Sequence, residues 1–436
     1  MFYLREDYVF EDDTKGESEM LDVDEYRRQA KLCVRCSFCK YIDMNWIKGL
    51  DFARQCPIDT KYALNLYSAH GLLYAASAEL DGKLTFTPKL IDAMYHCTLC
   101  GGCDNRCKRN LDIEVLQVIE TLRIRYVEQG NSLLPGHKEL VDNVRESRNE
   151  YGEPQKNRTN WISDVKPAEK GDVIYFVGCN TAFKQQELAR ATAKILNETG
   201  TTFMLLEDEW CAGEKIFAIG DVKLAREMAE HNVKAIQDTG IERVVTSSAE
   251  CYRALKVDYP KLMGKSTEEM PYAAVHITEF TDQAMRDGKL EFKKELPLKT
   301  TYHDACNLGR LSEPWFEWVP KYDGSIPIAK VWRRGDRGIY DPPRNVINAI
   351  PGLELLEMER ARGNTWGAGC TGGTHAAFPD FTLWTANERI REAVATGAEA
   401  LVVCSPDEKQ VLKEANESKK AGMTILDFAE LVAQVI

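Results

Sequence analysis

The chain has 436 residues, enough for two to four domains, and its 44% hydrophobic content supports a buried core. A net charge of −12 excludes nucleic acid and a polybasic membrane contact. Fourteen cysteines in a chain with no apolar leader of signal length point to a reducing compartment and to metal. No run approaches the roughly 20 apolar residues of a membrane span. A soluble, cytoplasmic chain is expected, peripheral at the membrane's inner face only through a partner.

In chain order, residues 1–24 are an acidic, solvated lead-in, and residues 25–32 form a helix that delivers Cys33. Cys33, Cys36 and Cys39 follow at two-residue gaps, and Cys56-Pro57 comes after sixteen more residues. Residues 58–95 are predicted helical, with a turn at Asp81-Gly82 and a restart after Pro88. Then comes Cys97-x2-Cys100-x2-Cys103-x3-Cys107, the spacing that binds a [4Fe–4S] cluster. A tight turn lets three thiolates converge, and Gly101-Gly102 lets the backbone approach them. Residues 112–128 form an amphipathic helix ending near Gly130.

The fourth cysteine of such a motif binds the other cluster in two-cluster proteins. Crossed ligation therefore assigns Cys33, Cys36, Cys39 and Cys107 to one cluster, and Cys97, Cys100, Cys103 and Cys56 to the other. Disulfides would need an oxidising compartment, and a zinc ribbon has no role for a third cysteine two residues on. The sequence departs from the pattern in the long gap before Cys56 and in Lys108, which replaces a proline. Arg35, Lys40, Arg106, Lys108 and Arg109 ring the motifs, as a solvated face or as charge near the clusters. His96 could donate to a cluster sulfide.

Residues 131–170 are polar and turn-rich, and are expected to be a linker. From 171 strands alternate with helices. Strands are predicted at 172–177, 202–206 and 244–246, then at 300–303, 353–358 and 400–403, with helices at 184–198, 221–239, 343–350 and 380–396. Offsets expose a repeat: Cys179 to Cys306 is 127 residues, Trp210 to Trp366 is 156, and Ser248 to Ser405 is 157. One insertion of about thirty residues, placed between Trp315 and Pro343, explains the jump. Cys179, Cys211, Cys251 and Cys306 all fall at carboxyl ends of strands, where open α/β sheets bind ligands. The expected architecture is an all-α two-cluster domain over 1–130, a linker over 131–170, and two tandem α/β repeats with parallel sheets over 171–295 and 296–436.

On the two ferredoxin motifs, Thr301-Tyr302-His303-Asp304-Ala305-Cys306-Asn307-Leu308-Gly309-Arg310, Tyr340-Asp341-Pro342-Pro343-Arg344 and the Trp-x-x-Gly positions of both repeats, the chain resembles the heterodisulfide reductase D subunit and its relatives, such as the glycolate oxidase iron–sulfur subunit. The resemblance implies that each repeat once carried Cys-Cys-Gly and Cys-Pro-x-Cys ligands for a non-cubane cluster. Here the first repeat has Cys179, Cys211-Ala212-Gly213 and Ser248-Ala249-Glu250-Cys251. The second keeps only Cys306, with Gly367-Ala368-Gly369 and Ser405-Pro406-Asp407-Glu408. Alanine and glycine cannot bind iron, and serine is a hard, weakly acidic substitute.

Cys179, Cys211, Cys251 and Cys306 are therefore candidates for an additional atypical cluster, or relics packed at strand ends. Cys370 and Cys404 sit one or two residues from lost ligand positions, as buried small hydrophobes or parts of a rebuilt site. His303-Asp304 is expected to be a structural pair, with a proton relay as the alternative. The favoured function is an electron-transfer subunit passing electrons through two [4Fe–4S] clusters between partner subunits, a flavoprotein or a membrane cytochrome or quinone subunit. The alternative is a catalytic subunit reducing a disulfide, CoA-linked or quinone-type substrate in the degenerate repeats. A purely structural role for the clusters would need only one.

Overall fold

The computed structural model describes residues 23–42, 47–107, 113–313, 335 and 337–436, and the backbone of 322–323 and 326–327. The acidic lead-in falls almost wholly outside the described residues, as do Lys108, Arg109 and much of the insertion between Trp315 and Pro343.

The amino-terminal region is helical, with helices Val23–Lys31, Pro57–Tyr62, Ala69–Leu80, Pro88–His96, Gly102–Arg106 and Val115–Glu128. Local chemistry sets their starts. Ser68 and Thr87 accept the backbone N–H of Gly71 and Leu90, and Pro57 and Pro88 occupy first turns. Leu72, Leu73 and Ala76 of Ala69–Leu80 pack against Tyr26 and Ala30 on one side and Ile119 and Leu122 on the other. Truncating Leu72, fully buried, would cost about 2–5 kcal/mol.

Each repeat is a four-stranded parallel sheet. In the first, β1 (Val173–Tyr175), β2 (Phe203–Met204), β3 (Arg243–Thr246) and β4 (Ala273–His276) run in the order β2-β1-β3-β4. In the second, β5 (Leu298–Tyr302), β6 (Leu353–Leu355), β7 (Ala400–Val403) and β8 (Thr424–Asp427) run β6-β5-β7-β8. The two orders correspond strand for strand. The outer strands β4 and β8 were not anticipated from the sequence. Each is four residues long and sits at an edge, so hydrophobic pattern barely marks it.

The repeats meet through helices. Gln186–Glu198 packs on Phe428–Val435, and Ile277–Arg286 packs on Asp341–Ala349. A single core with Tyr175, Tyr302, Val346, Phe428 and Leu431 fills the interface. The segment expected to be a linker is largely ordered structure. Pro135–Ser147 is a helix that buries His137, Leu140, Val141 and Val144. Trp161, 1% exposed, plugs the inter-repeat core.

The helical region is not a separate bead. Its core runs on into Ile216, Phe217, Leu224 and Met228 of the first repeat. Arg123, fully buried, donates to the carbonyls of Met94 and Cys97 in the helical region, Ala218 in the first repeat and Gly372 in the second. A second buried hub, Arg253, pairs with Glu120, Glu214 and Asp258 and reaches Asn307. Buried guanidinium groups persist only when their donors are satisfied, so these two residues fix the three parts in one arrangement.

Candidate functional site

The two cysteine motifs adopt the same turn. In the first, Arg35 and Ser37 flank Cys36 with φ of 56° and 64°; in the second, Leu99 and Gly101 flank Cys100 with φ of 49° and 71°. A non-glycine residue in the left-handed region costs roughly 1–2 kcal/mol. Three such residues in these two loops mark a geometry held for a reason. Alternating hands turn successive backbone N–H groups into one concavity, a common cradle for iron–sulfur groups. Each turn then starts a short helix, Phe38–Lys40 or Gly102–Arg106, and the two helices pack together.

Cys39, Cys56, Cys97, Cys100 and Cys103 all line one small pocket. Its walls are Ile58, Leu99, Leu116 and Ile119. A Cβ on Gly101 would lie 2.7 Å from Leu311, and one on Gly102 3.0 Å from Gln55, so both glycines are required for the close packing of this loop. As free thiols, Cys39 is pushed up to about 12 and Cys97 to about 11, chiefly by burial. Clustered soft sulfur donors that resist ionisation until a cation arrives suit an iron–sulfur group. Cys107 ends the Gly102–Arg106 helix, beside Phe38–Lys40. Asp59, in the helix that Cys56 caps, takes Lys40 at 2.8 Å and Arg54 at 2.7 Å, tying the two loops together.

The cations ringing the motifs are engaged. Arg35 lies over the Tyr74 ring at 3.7 Å, Lys40 pairs with Asp59, and buried Arg106 donates to Asn364. His96 does not face a sulfur. Its Nδ1 meets the Asp92 carbonyl at 2.8 Å, and its ring stacks on Phe378.

At the carboxyl end of the first sheet, Cys179, Cys211 and Cys251 share a second cavity of about 340 Å³ with Lys215, Glu250 and Asp407. Gly178 has φ of 77°, and a Cβ there would lie 2.7 Å from the Cys251 sulfur. Glu209 fixes this loop by accepting the N–H groups of Val177 and Gly178, both at 2.9 Å. Arg158 pairs with Glu209 at 2.7 Å and donates to the Cys179 sulfur at 3.6 Å. Hydrogen bonds from Cys211 and the Arg158 charge hold the Cys179 thiol below its ordinary range. Lys215 bridges Glu150 at 2.5 Å and Asp407 at 3.0 Å. Those three residues also line a wider cleft of about 820 Å³, which continues past Tyr151 and His375.

The comparisons with known proteins agree with these two layers. A 4Fe-4S dicluster domain matches residues 29–111, and a cysteine-rich CCG domain matches 173–256 and 330–407. The D subunit of the dihydromethanophenazine:CoB–CoM heterodisulfide reductase of Methanosarcina mazei is 35% identical over 350 residues, covering 79% of this chain and 78% of that protein. The Methanosarcina barkeri counterpart is 32% identical over 372 residues, covering 83% and 84%. The chain belongs to the family of the heterodisulfide reductase D subunits. It is an iron–sulfur electron-transfer protein of that kind, and its dicluster domain carries two [4Fe–4S] clusters. A probable iron-sulfur-binding oxidoreductase of Bacillus subtilis is 25% identical over 83% of this chain and 50% of its own length. A hypothetical protein of Helicobacter pylori shares the fold, with a TM-score of 0.53 at 10% identity, covering 84% of this chain and 67% of that one. Among the described residues no helix is long and apolar enough to cross a membrane.

In the second repeat the grouping of four cysteines needs correction. Cys306 does not join Cys179, Cys211 and Cys251. It lies beside Cys100, both side chains bordering Gly367. The reason is topological: the loop after β5 packs onto the Cys97–Cys103 turn, whereas the loop after β1 faces the opposite cleft. Cys404 accepts from the Tyr302 hydroxyl at 3.2 Å in the inter-repeat core, and Cys370 packs in the outer core of the second repeat at the cleft's margin. Neither approaches Cys306 to rebuild a ligand set. His303 and Asp304 do not pair with each other. Arg389 donates to His303 Nδ1 at 2.7 Å, while Asp304 takes both guanidinium nitrogens of Arg344 at 2.7 and 2.8 Å.

Sequence reasoning missed Arg158, Glu209 and Lys215. All act across long separations. Glu209, directly before Trp210-Cys211, and Lys215, two residues after Gly213, stood near a motif, and the counterpart of Glu209 in the second repeat is Thr365.

Proposed function

We propose that the protein serves as the iron–sulfur wire of a larger reductase complex. Cys33, Cys36, Cys39 and Cys107 hold one [4Fe–4S] cluster, and Cys97, Cys100, Cys103 and Cys56 hold the other. The observation that carries this reading is the matched pair of left-handed turns, with Cys56 brought into the cavity of the second. Bound there, the clusters supply one-electron transfer at potentials set by ligation, burial and hydrogen bonding. The chain's own residues divide the remaining work. Apolar walls at Ile58, Leu116 and Ile119 exclude water from the inner site, while Cys36 lies exposed at the outer one. The outer site is thus the face for exchange with a partner subunit, and the inner one faces the repeats. The partner is a flavoprotein or a membrane-bound cytochrome or quinone subunit, and any attachment to a membrane runs through it.

The test is anaerobic preparation of the full chain with iron and sulfide analysis. About eight irons per chain and two interacting signals after reduction are expected for two such clusters. Four irons or fewer would reject the assignment.

A second reading is favoured by one observation, the convergence of Cys179, Cys211 and Cys251 on a cavity that joins a wide cleft. In it the first repeat holds an additional iron–sulfur cluster and reduces a substrate entering by the cleft. The relatives named as CoB–CoM heterodisulfide reductase subunits make a disulfide the first substrate to try. Iron clearly above eight per chain, lost on Cys251→Ala together with turnover, separates this reading from the first.

A further inference from the structure

The second repeat has lost four of the five ligand positions that the family resemblance implies, yet Cys306 is fully buried and placed with care. Its sulfur and the Cys100 side chain meet beside Gly367. Behind it, Arg310 donates from Nη2 to the Cys306 sulfur at 3.2 Å. Arg310 is itself 1% exposed and anchored through Nη1 to the carbonyls of Thr365 at 2.8 Å and Gly363 at 3.2 Å. Space has been kept for this contact. A Cβ on Gly367, which stands where the first repeat has Cys211, would lie 2.9 Å from the Cys306 sulfur and 3.7 Å from the Cys100 Cβ. The surrounding loop is clamped to the same turn, since Thr371 donates to the Thr98 carbonyl at 2.6 Å.

We propose that Cys306 is a positioning residue for the inner cluster: its S–H donates to the Cys100 thiolate, polarised by the Arg310 guanidinium behind it, and so raises that cluster's reduction potential. The physical reason is simple. An added electron increases negative charge on the ligand sulfurs, and a donor at one of them stabilises the reduced state. In a dry site a buried cation behind that donor acts with little screening. The second repeat is then an outer shell for the inner cluster, built from what was a ligand. This proposal rests on the reading of Cys100 as a ligand of that cluster.

The experiment is a potentiometric titration of the anaerobic full chain, followed by electron paramagnetic resonance, for wild type, Cys306→Ala, Cys306→Ser and Arg310→Gln. Cys306→Ala should keep the wild-type iron content and lower the potential of one cluster only. A shift of about tenfold in its reduced-to-oxidised ratio is expected, which is 59 mV for a one-electron couple. Cys306→Ser, which retains a donor, should recover most of the shift, and Arg310→Gln should move the same cluster in the same direction. Unchanged potentials at full iron content in Cys306→Ala would overturn the proposal. So would a loss of iron in Cys306→Ala and Cys306→Ser, which would make Cys306 a ligand. If Cys306→Ala does not accumulate, an unmoved potential in Arg310→Gln overturns it equally. A Cys100→Ala variant should lose the signal whose potential moved. If it retains both signals, the ligand reading fails, and the proposal with it.

Discussion

The two repeats share strand order and parallel register, but they treat one position in opposite ways. Beyond β1, β2 and β3, the first repeat places Cys179, Cys211 and Cys251 around an open cavity. Beyond β5 and β7, the second places Cys306, Gly367 and Glu408, and closes the space with charge. Glu408 stands 3.3 Å from His303, which is bonded to Arg389. Arg389 in turn pairs with Glu392 at 2.8 Å, and Glu392 with Arg360 at 2.9 Å. A site that loses its metal ligands must fill the gap or collapse, because a polar void at a strand end is unstable. In the second repeat that end holds buried side chains, with Glu392 paired to Arg389 and Arg360, while the Cys306 thiol lies by the neighbouring cluster turn. The comparison teaches that the fold needs an occupied strand end, and that metal is one occupant among several.

The comparison breaks first at Arg389. If ion pairs have replaced a cluster as the structural plug, Arg389→Ala strands His303 and Glu392 in the interior. It should destabilise the chain by about 3–5 kcal/mol, read by denaturant unfolding followed at the second repeat. A loss below about 1 kcal/mol would show that the network is ornamental. On the other side, Cys251→Ala should cost about 1 kcal/mol or less, since a small buried thiol is replaced by a smaller apolar group. Both cubane signals should survive it. A collapse of either signal would mean that the first-repeat cavity and the dicluster region are one site.

A pH-dependent effect comes from a matched pair of caps. His276 and Asp427 end β4 and β8, and each forms a capping box, with Glu279 and Glu430. Burial pulls His276 down to about 3, so it is neutral in the fold. Its contribution is complete above its ordinary value of 6.5 and is lost as pH falls toward 3. Burial pushes Asp427 up to about 7, opposed by the N–H of Ala429 and by Lys409, and supported by Glu430 and Glu187. Its contribution is complete below its ordinary 3.8 and is lost as pH rises toward 7. His276→Asn should therefore flatten the acid-side decline, and Asp427→Asn the decline between about pH 4 and 7, each by up to about 1.4 kcal/mol per pH unit. Melting temperatures across pH 4–7 check this. Slopes of the same sign for both variants would contradict it.

Much of the molecule was legible because its chemistry is local. The two cysteine motifs, the turn at Asp81-Gly82 and the restart after Pro88 all lie within a few residues of what they organise. The helices predicted at 184–198, 221–239, 343–350 and 380–396 and six of the eight strands in the two parallel sheets followed from periodicity. The strands β4 and β8 escaped because four residues at a sheet edge carry little pattern. Their signal was the capping box that follows each one. The helix Pro135–Ser147 was hidden by its polar exposed face, although Leu140, Val141 and Val144 have helical spacing. Contacts such as Cys100 with Cys306, or Arg123 with Gly372, join residues about two hundred positions apart or more. No spacing rule reaches that far, so the relation between the second repeat and the dicluster region appears only in three dimensions.

The crossing of the two fourth ligands is the claim that decides between a paired wire and two independent sites. It is tested most directly by low-temperature spectra of reduced Cys56→Ala and Cys107→Ala chains beside Cys97→Ala and Cys33→Ala. The account predicts that Cys56→Ala loses the same signal as Cys97→Ala, and Cys107→Ala the same signal as Cys33→Ala. The reverse pairing, with Cys107→Ala matching Cys97→Ala, would contradict it.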